Sequence, residues 1–333
     1  MFFIDLEKAY DRVPRQEVWR SLRERGVPEK YVRVIRETYK NATTRVRSAV
    51  GITDGFQVKV GLHQGSALSP FLFNIVLDVL TGDVREDPPW CMYYADDVVL
   101  VAESREELEE KLERWRYSLE SRGLRVSREK TVYMTNGLDE DQQATIQLGN
   151  VNIRRVNEFR YLGSTLDSAG EMDKEIKHRV QAGWNNWRKV TGVICDKKVP
   201  LTLKGKVHKA VVRPALAYGL EAAPMKKAQE QRLDVTEMKM LRWMSGVTRM
   251  DKIRNQYVRG SAKVTQASKK IQEYRLRWFG HLRRRANEEH VARDAMEMEM
   301  VGTRGRGRPR VRWRDCIRQD MEEKGISEHQ ALE

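Results

Sequence analysis

Three aspartates beside apolar segments are the residues whose type and spacing could do chemistry. Asp5 follows Met1-Phe2-Phe3-Ile4, and Asp96 and Asp97 lie in Tyr94-Ala95-Asp96-Asp97 with apolar residues on both sides. Carboxylates next to buried strands are costly to desolvate unless they bind a cation or a partner. Adjacent aspartates also raise each other's pKa unless a positive charge lies between them. Although a lone Asp-Asp pair is most often a solvated turn, this pattern fits a pair of divalent ions, such as Mg²⁺, that promotes an in-line displacement at phosphorus.

The elements that must position these aspartates are short strands, with helices between them. Phe2–Leu6 is predicted to be a buried strand, and Met92–Ala102 a strand–turn–strand with the aspartates at the turn. Residues 43–60 alternate and predict a hairpin. Apolar residues at helical spacing predict helices over Pro14–Gly26, Pro28–Lys40, from Pro70 onward and over Arg105–Arg122. Further strands are predicted around Thr131–Met134 and in two segments before Tyr161.

The pattern changes from Gly170 onward, where helical signals replace strands. We expect a domain boundary near residues 165–170, followed by amphipathic helices whose apolar stripes form a core. These stripes are Ile176, Val180, Trp184 and Trp187; Leu203, Val207 and Val211; Leu233, Met240, Leu241 and Met244; and Ile271, Tyr274, Trp278 and Leu282.

The composition bounds the class of protein. A chain of 333 residues fits two or three domains, and its net charge of +14 indicates either a polyanionic partner or a solvated basic face. The cysteines Cys91, Cys195 and Cys316 are far apart, which predicts neither a zinc site nor a disulfide scaffold and favours a reducing compartment. Without a long apolar run or a signal peptide pattern, we expect an intracellular protein of the nucleus or cytoplasm, with no membrane partner.

Five segments, which occur in a fixed order along the chain, include the three aspartates. Residues 2–165 resemble the reverse transcriptase domain of non-LTR (LINE-type) retrotransposons. The segments are Phe3-Ile4-Asp5-Leu6-Glu7-Lys8-Ala9-Tyr10-Asp11-Arg12-Val13, Gly61-Leu62-His63-Gln64-Gly65-Ser66-Ala67-Leu68-Ser69-Pro70, Tyr94-Ala95-Asp96-Asp97, Gly123-Leu124-Arg125-Val126 with Glu129-Lys130-Thr131, and Tyr161-Leu162-Gly163. A single Asp box is weak evidence, whereas five such motifs in order are highly specific.

The resemblance implies a fold and an activity. The fold would be α+β, with a right-hand polymerase palm (an antiparallel sheet with packed helices) followed by an α-helical thumb and connector. The implied domains are 1–166 for the palm, 167–290 for the thumb and connector, and 291–333 for a basic tail. The implied activity is RNA-directed DNA polymerisation by nucleotidyl transfer. It would use two Mg²⁺ ions (or Mn²⁺), an RNA template, a DNA primer and deoxynucleoside triphosphates.

The resemblance also assigns roles to residues. Asp5 and Asp96 would be the main metal ligands, joined by the Leu6 carbonyl, and Asp97 would lie closer to the primer end. Tyr10 would be a steric gate against ribonucleotides, and Gln64 and Gly65 would contact the incoming nucleotide and template. Lys130 would protonate the pyrophosphate, and Tyr161, Leu162 and Gly163 would form the primer grip. His63 is interpreted as structural.

Arginines at every second position mark the C-terminal tail, at Arg304, Arg306, Arg308, Arg310, Arg312 and Arg314. An extended chain would place all six on one side. Gly307-Arg308-Pro309 resembles the core of minor-groove-binding hooks, in which arginine reads the groove. The alternative is a solubilising basic linker.

The chain begins at the first catalytic strand, so the resemblance predicts that the fingers region and an endonuclease domain are missing. Two functions therefore stay open. The chain is either a reverse transcriptase, or a truncated and catalytically inactive remnant that only binds nucleic acid through its basic C-terminal half.

Overall fold

The computed structural model describes residues 1–135, 146–284, 291–298 and 311–330. Contacts within the chain divide it into two compact units, Met1–Leu162 and Gly163–Glu333. The division falls a few residues before the boundary expected from the sequence. The first unit combines strands with helices and the second is almost entirely helical, so the fold is α+β.

The first unit is built on a mixed six-stranded sheet with helices beside it. Its helices are α1 (Ala9–Arg12), α2 (Arg15–Glu24), α3 (Glu29–Tyr39), α4 (Ser69–Leu80) and α5 (Arg105–Glu120). Its strands are β1 (Phe2–Ile4), β2 (Thr43–Thr44), β3 (Arg47–Ser48), β4 (Gly51–Ile52), β5 (Phe56–Gln57), β6 (Cys91–Tyr94), β7 (Asp97–Leu100), β8 (Val132–Tyr133), β9 (Ile146–Leu148), β10 (Val151–Arg155) and β11 (Glu158–Tyr161). The strand order in the main sheet is β6-β7-β1-β8-β10-β9.

Both faces of the sheet are covered, as the alternation of side chains along β1 shows. Phe2 and Ile4 point into the large core that the helices cover. Phe3, between them, points the other way, where it packs with Val99 and stacks on Phe159. Alternate residues of a strand face opposite sides, so a strand buried on both faces reads as an unbroken apolar run. This explains why Asp5 is preceded only by apolar residues.

Most elements of the first unit agree with the sequence prediction. The predicted hairpin over residues 43–60 is present as two nested antiparallel pairs, β2 with β5 and β3 with β4. The expectation of an antiparallel sheet was wrong in one place, because β8 and β10 run parallel. The reason is that β10 is the second strand of the β9–β10 hairpin, and β9 takes the edge of the sheet.

The second unit contains β12 (Ser164–Asp167) followed by helices. These are α6 (Asp173–Lys189), α7 (Thr191–Ile194), α8 (Leu201–Val207), a π-helical turn His208–Val212, α9 (Arg213–Ala217), a 3-10 turn Leu220–Ala222, α10 (Lys227–Met244), α11 (Asn255–Ala262), α12 (Ala267–Arg284), α13 (Val291–Glu297) and α14 (Trp313–Lys324). Apolar residues of α6, α10 and α12 fill its cores, as predicted for Trp187, Leu233 and Ile271. No helix among the described residues is long and apolar enough to cross a bilayer.

One predicted stripe was wrong at Leu203, although Val207 of the same stripe packs against the core. Leu203 is exposed, whereas Lys204, Gly205 and His208 are buried. The cause is a close approach of two backbones, since a Cβ on Gly205 would lie within 3.0 Å of the Ala262 carbonyl carbon. This contact turns the glycine face of α8 inward, and the apolar Leu203 is left at the surface.

Buried ion pairs tie the helices of the second unit together. Glu237 of α10 is completely buried and accepts hydrogen bonds from Arg213 (2.7 Å) and Arg259 (2.6 Å). Arg275 of α12 donates to Asp320 of α14 and to Glu230 of α10. Removing one partner of such a buried pair leaves an uncompensated charge, so these networks fix which helices are neighbours.

Candidate active site

The strand register brings two of the three aspartates opposite each other. In the antiparallel pair β1–β7, Phe3 faces Val99 and Ile4 faces Val98. One further step along the same register sets Asp5 opposite Asp97, on the sheet face that carries Phe3 and Val99. Asp96 lies in the two-residue turn between β6 and β7, because Tyr94 pairs with Asp97. All three aspartates are therefore at one end of the central strands.

The turn that carries Asp96 has an unusual backbone. Ala95 has φ 55°, in the left-handed region that residues with a Cβ rarely adopt. Such a conformation costs about 1–2 kcal/mol and persists only where the surrounding structure imposes it. Here the pairing of β6 with β7 imposes it, and the strained turn sits at the aspartates.

The aspartates interact electrostatically. Partial burial raises the pKa of the Asp97 carboxyl, and the negative charges of Asp96 and then Asp5 raise it further. The donor atoms are all carboxylate oxygens, which Mg²⁺ prefers, and a cation would relieve their repulsion. In the described parts of the chain, no three His, Cys, Asp or Glu side chains converge closely enough to form a metal-binding group. The site therefore has the donor chemistry for a divalent ion without a closed ligand cluster.

The negative charge of the aspartates also affects the pKa values of two tyrosines. Burial raises the pKa of Tyr10, and the negative charge of Asp96 raises it further. Burial also raises the pKa of Tyr161, and the negative charge of Asp97 raises it further. The Tyr10 ring stacks on Phe73 of α4 with centroids 4.7 Å apart, which fixes its orientation. Tyr10 and Tyr161, taken from distant motifs, thus lie within the field of the aspartates.

The fourth motif runs beside the first. The backbone of Leu6 forms an antiparallel bridge with Val126, and the amide of Ser127 donates to the Asp5 carbonyl (2.8 Å). Lys130 follows, and its Nζ lies 3.6 Å from Oδ1 of Asp5. Lys130 is largely exposed, so its ammonium group can reach solvent or substrate at the edge of the site.

The second motif is held against the first by backbone contacts. Gly61 donates to the Val13 carbonyl (2.9 Å) and Leu62 to the Tyr10 carbonyl (2.8 Å). Gly61 has φ +84°, and a Cβ there would lie 2.6 Å from the Asp11 carbonyl oxygen. Only glycine combines this conformation with so close an approach. Gly61 is therefore required for packing, a role that its place in a motif could have indicated.

Arg15 secures the same loop and was not predicted from the sequence. Its guanidinium donates to the carbonyls of Gly61 (3.2 Å) and Tyr39 (3.0 Å) and lies over the Tyr39 ring. Burial lowers its pKa. The His63 ring stacks on the ring of Tyr39, which agrees with a structural role for this histidine.

Gln64 and Gly65 form the exposed tip of this loop. Gln64 donates to Oδ1 of Asp11 (2.7 Å), which links the second motif to the first. Gly65 has φ +86° and open space around the position of a Cβ. Its glycine is therefore needed for the backbone conformation, and the space beside it is accessible to a ligand.

The three residues of the predicted primer grip differ in setting. Tyr161 ends β11 and packs with Phe3 and Val99, on the face of the sheet that carries Asp5 and Asp97. Leu162 is exposed and has φ 46°. Gly163 belongs to the second unit, where its carbonyl accepts a hydrogen bond from Arg179.

The predicted arginine tail lies mostly outside the described residues. Arg304, Arg306, Arg308 and Arg310 belong to that part. The extended pattern was wrong for Arg314, because it lies in α14, which begins at Trp313. The Arg312 amide donates to the Asp315 carboxylate (3.1 Å), which caps this helix and ends the alternation.

A basic cleft in the second unit was also missed. Its cavity of about 1110 Å³ is lined by six basic residues and one acidic residue, Asp234. The basic residues are Lys239, Arg242, Arg249, Arg259, Lys263 and Lys269. Arg242 donates to the carbonyl of Ile253, and Arg259 forms an ion pair with the buried Glu237. The other four basic residues form no ion pair with the acidic residues that the structure describes.

Comparison with known proteins gives this geometry a context. Residues 1–166 match the family described as reverse transcriptase (RNA-dependent DNA polymerase). A transposon-derived protein of Caenorhabditis elegans is 26 % identical over 242 residues, covering 68 % of this chain and 84 % of that protein. The Pol polyprotein of the R2 retrotransposable element of Nasonia vitripennis is 28 % identical, covering 52 % of this chain and 19 % of the polyprotein.

The RNA-directed DNA polymerase of the mobile element jockey of Drosophila melanogaster is 24 % identical, covering 73 % of this chain and 28 % of that enzyme. Against these two retrotransposon proteins, the chain thus spans less than a third of the relative's length. Among solved structures, apo telomerase from Candida tropicalis is similar with a TM-score of 0.41 and 13 % identity, covering 83 % of this chain and 46 % of that chain.

Proposed function

Since the chain, through residues 1–166, belongs to the reverse transcriptase (RNA-dependent DNA polymerase) family and is related to the enzymes of non-LTR retrotransposons, we propose that it polymerises DNA on an RNA template. The reaction is nucleotidyl transfer from a deoxynucleoside triphosphate to a primer 3′-hydroxyl. In this proposal the first unit is the palm of a right-hand polymerase and the helical unit that follows is its thumb and connector.

One observation carries the proposal. The antiparallel register sets Asp5 opposite Asp97, and the pKa of Asp97 is raised by burial and by the charges of Asp96 and Asp5. Like charges collected at one end of a sheet are unfavourable for folding and are useful for binding cations. A structural role gives no reason to keep them together.

The aspartates are the proposed cation ligands. Asp5, Asp96 and Asp97, with the Leu6 carbonyl, would hold Mg²⁺ or Mn²⁺, and two such ions would activate the 3′-hydroxyl and stabilise the leaving pyrophosphate. The oxygen-only donor set and the mutual repulsion of the carboxylates fit such ions.

The residues around the aspartates would select and orient the nucleotide. Tyr10, fixed by its stack on Phe73, would exclude a ribose 2′-hydroxyl and favour deoxynucleotides. Gly65 lets the backbone approach the nucleotide and template, and Gln64 is oriented by Asp11. Lys130 Nζ, 3.6 Å from Asp5 Oδ1, carries the proton that the pyrophosphate would take. Tyr161, Leu162 and Gly163 would support the primer end.

The test is primer extension by the full chain on a primed RNA template, with Mg²⁺ and deoxynucleotides. We expect elongation that a chelator abolishes. Asp96→Asn is expected to reduce the rate about 1000-fold, since a bound metal contributes several kcal/mol to the transition state and each 1.36 kcal/mol is tenfold. The matched control is Asp83→Asn, an exposed aspartate of the same unit.

Equal activity of Asp96→Asn and Asp83→Asn would contradict the proposal. So would an inactive wild-type chain that stays inactive when it is joined to the fingers region of a related enzyme. The second arm is needed because this chain matches only part of its retrotransposon relatives.

A second candidate function is nucleic-acid binding without catalysis, and the basic cleft favours it. Four of its six basic residues form no ion pair with described acidic residues, so they are available to phosphates. The tail arginines, Arg304, Arg306, Arg308 and Arg310, are proposed to contribute further contacts to phosphates. Binding through phosphates releases counterions, so the affinity should fall steeply with salt. Salt-insensitive binding, or elongation by the wild-type chain, would refute a purely binding role.

A further inference from the structure

A second cavity in the helical unit has four aromatic side chains among its nine lining residues. It has a volume of about 620 Å³, within the range of pockets that bind small ligands. Its lining includes Tyr218, Tyr274, Trp278 and His281, together with the guanidinium-bearing residues Arg277 and Arg284. Aromatic rings beside guanidinium groups match the chemistry of a flat ring that is attached to a negative charge.

The rings are arranged by two elements. Helix α12 points Phe279 and Leu282 into the core, and this leaves Trp278 and His281 on the side of the cavity, stacked on each other with centroids 5.3 Å apart. Tyr218 follows α9 and is half exposed, with the Arg179 guanidinium 5.2 Å from its ring centre. Phe279 and Leu282 hold helix α12 in the core, while the neighbouring aromatic rings stay accessible from the cavity.

One lining residue of the cavity, Tyr218, lies beside Gly163, a residue of the proposed primer grip. A Cβ on Gly163 would lie 3.3 Å from the ring of Tyr218, so the absence of a side chain at Gly163 leaves space for this ring. Gly163 is one of the residues proposed to support the primer end. Tyr218 therefore lies between the cavity and Gly163, within the second unit.

We propose that this cavity binds an unpaired base of single-stranded nucleic acid, with Tyr218 and Trp278 as stacking partners and Arg277 and Arg284 close to the phosphates. Bases within a duplex are stacked on each other and cannot enter, so the ligand must be single-stranded. The inference rests on the proposed function in one respect, that the ligand is nucleic acid. It adds a contact to bases, whereas the basic cleft has the chemistry to contact phosphates.

The experiment compares two labelled strands of equal length and charge, one with bases and one abasic, by fluorescence anisotropy with the full chain and without metal or nucleotides. Trp278→Ala should weaken binding of the base-containing strand about tenfold, as expected for the loss of one stacked base, and should leave the abasic strand unchanged. Trp278→Phe should restore most of the affinity because it retains an aromatic face. Trp243→Ala is the control, since Trp243 is exposed in the same unit and does not line the cavity.

Tyr218→Leu is the second variant, in case Trp278→Ala lowers the folded fraction in a thermal melt. It should also weaken binding of the base-containing strand only. Equal losses on both strands, or no loss in either variant, would overturn the inference. Primer extension by the same preparations separates the two proposals. Elongation together with unchanged strand binding would reject the base-binding cavity alone, and selective strand binding without elongation would reject only the polymerase.

Discussion

The two units of this chain arrange their charged groups in opposite ways. In the first unit, Asp97 lies beside Asp96 and opposite Asp5, and its pKa is raised first by partial burial and then by these like charges. In the second unit, Glu237 is completely buried between Arg213 and Arg259. The first arrangement leaves negative charge at an accessible edge, and the second neutralises it in the interior.

The difference separates charges that are paired within the fold from the charges that we propose to bind a ligand. A desolvated carboxylate is tolerated only with partners, so the buried pairs of the second unit specify how its helices pack. The aspartates of the first unit stay partly solvated and are positioned by backbone pairing. Among the described residues, Lys130 is the cation whose ion pair with one of them, Asp5, is seen. This arrangement of like charges supports the proposed cation site.

The largest effect on stability is expected from Glu237→Gln. The substitution leaves Arg213 and Arg259 buried with reduced compensation, and breaking such a pair typically costs about 3–5 kcal/mol of the free energy of unfolding. Urea denaturation followed by circular dichroism measures this loss. The control is Glu273→Gln on α12, which removes exposed ion pairs with Lys270 and Arg277 and should cost less than about 1 kcal/mol. If the two variants lost similar amounts of unfolding free energy, the buried ion pairs of the second unit would have no special role in its stability.

An intermediate effect is expected from Gly61→Ala, which tests how the acidic site is positioned. The new Cβ would lie 2.6 Å from the Asp11 carbonyl oxygen at a residue with φ +84°, and we expect a loss of about 2 kcal/mol in stability together with reduced primer extension. Gly149→Ala is the matched control, because Gly149 has φ +61° with open space around it. If both variants lost equal stability, the cost would come from the backbone angle alone and not from the contact between motifs.

The smallest effect is expected from Asp97→Asn, which removes one like charge. The pKa of Asp97 is raised by burial and by its acidic neighbours, so the folded state retains its proton to a higher pH than the unfolded state does. The stabilising effect of this proton is complete below the unfolded pKa and is lost as the pH rises through the folded pKa.

At neutral pH the Asp97→Asn variant should therefore be slightly more stable than the wild type, by less than about 1 kcal/mol because the group is partly solvated. Thermal melts between pH 3 and pH 7 without divalent ions measure this difference. A variant that is less stable than the wild type at neutral pH would show that Asp97 is a structural residue.

Local sequence patterns determined much of the fold. The apolar runs before Asp5 and around Asp96 predicted the strands β1, β6 and β7, because strands buried on both faces exclude polar residues. Helical spacing predicted α2, α3, α5, α6, α10 and α12. The exposed Leu203 escaped prediction, because the contact between Gly205 and Ala262 joins residues far apart in sequence.

The same division holds for the candidate site. Residue types and spacing marked Asp5, Asp96 and Asp97 as candidates, because carboxylates beside buried strands are costly to desolvate unless they bind a cation or a partner. Tyr10 and Gln64 were added by the resemblance of their motifs to those of reverse transcriptases. The sequence could not give the register that sets Asp5 opposite Asp97, since strand pairing depends on contacts between distant segments.

The contacts of Arg15, Asp11 and Gly61 are visible only in the folded chain, where Arg15 and Asp11 bind the second motif and Gly61 packs on the first. The sequence thus marked the three aspartates as candidates through local chemistry and motif order, whereas the effect of the Asp5 charge on Asp97 was decided by tertiary structure. The physical reason is that side-chain chemistry is local, and electrostatic interaction depends on distances that only the folded backbone sets.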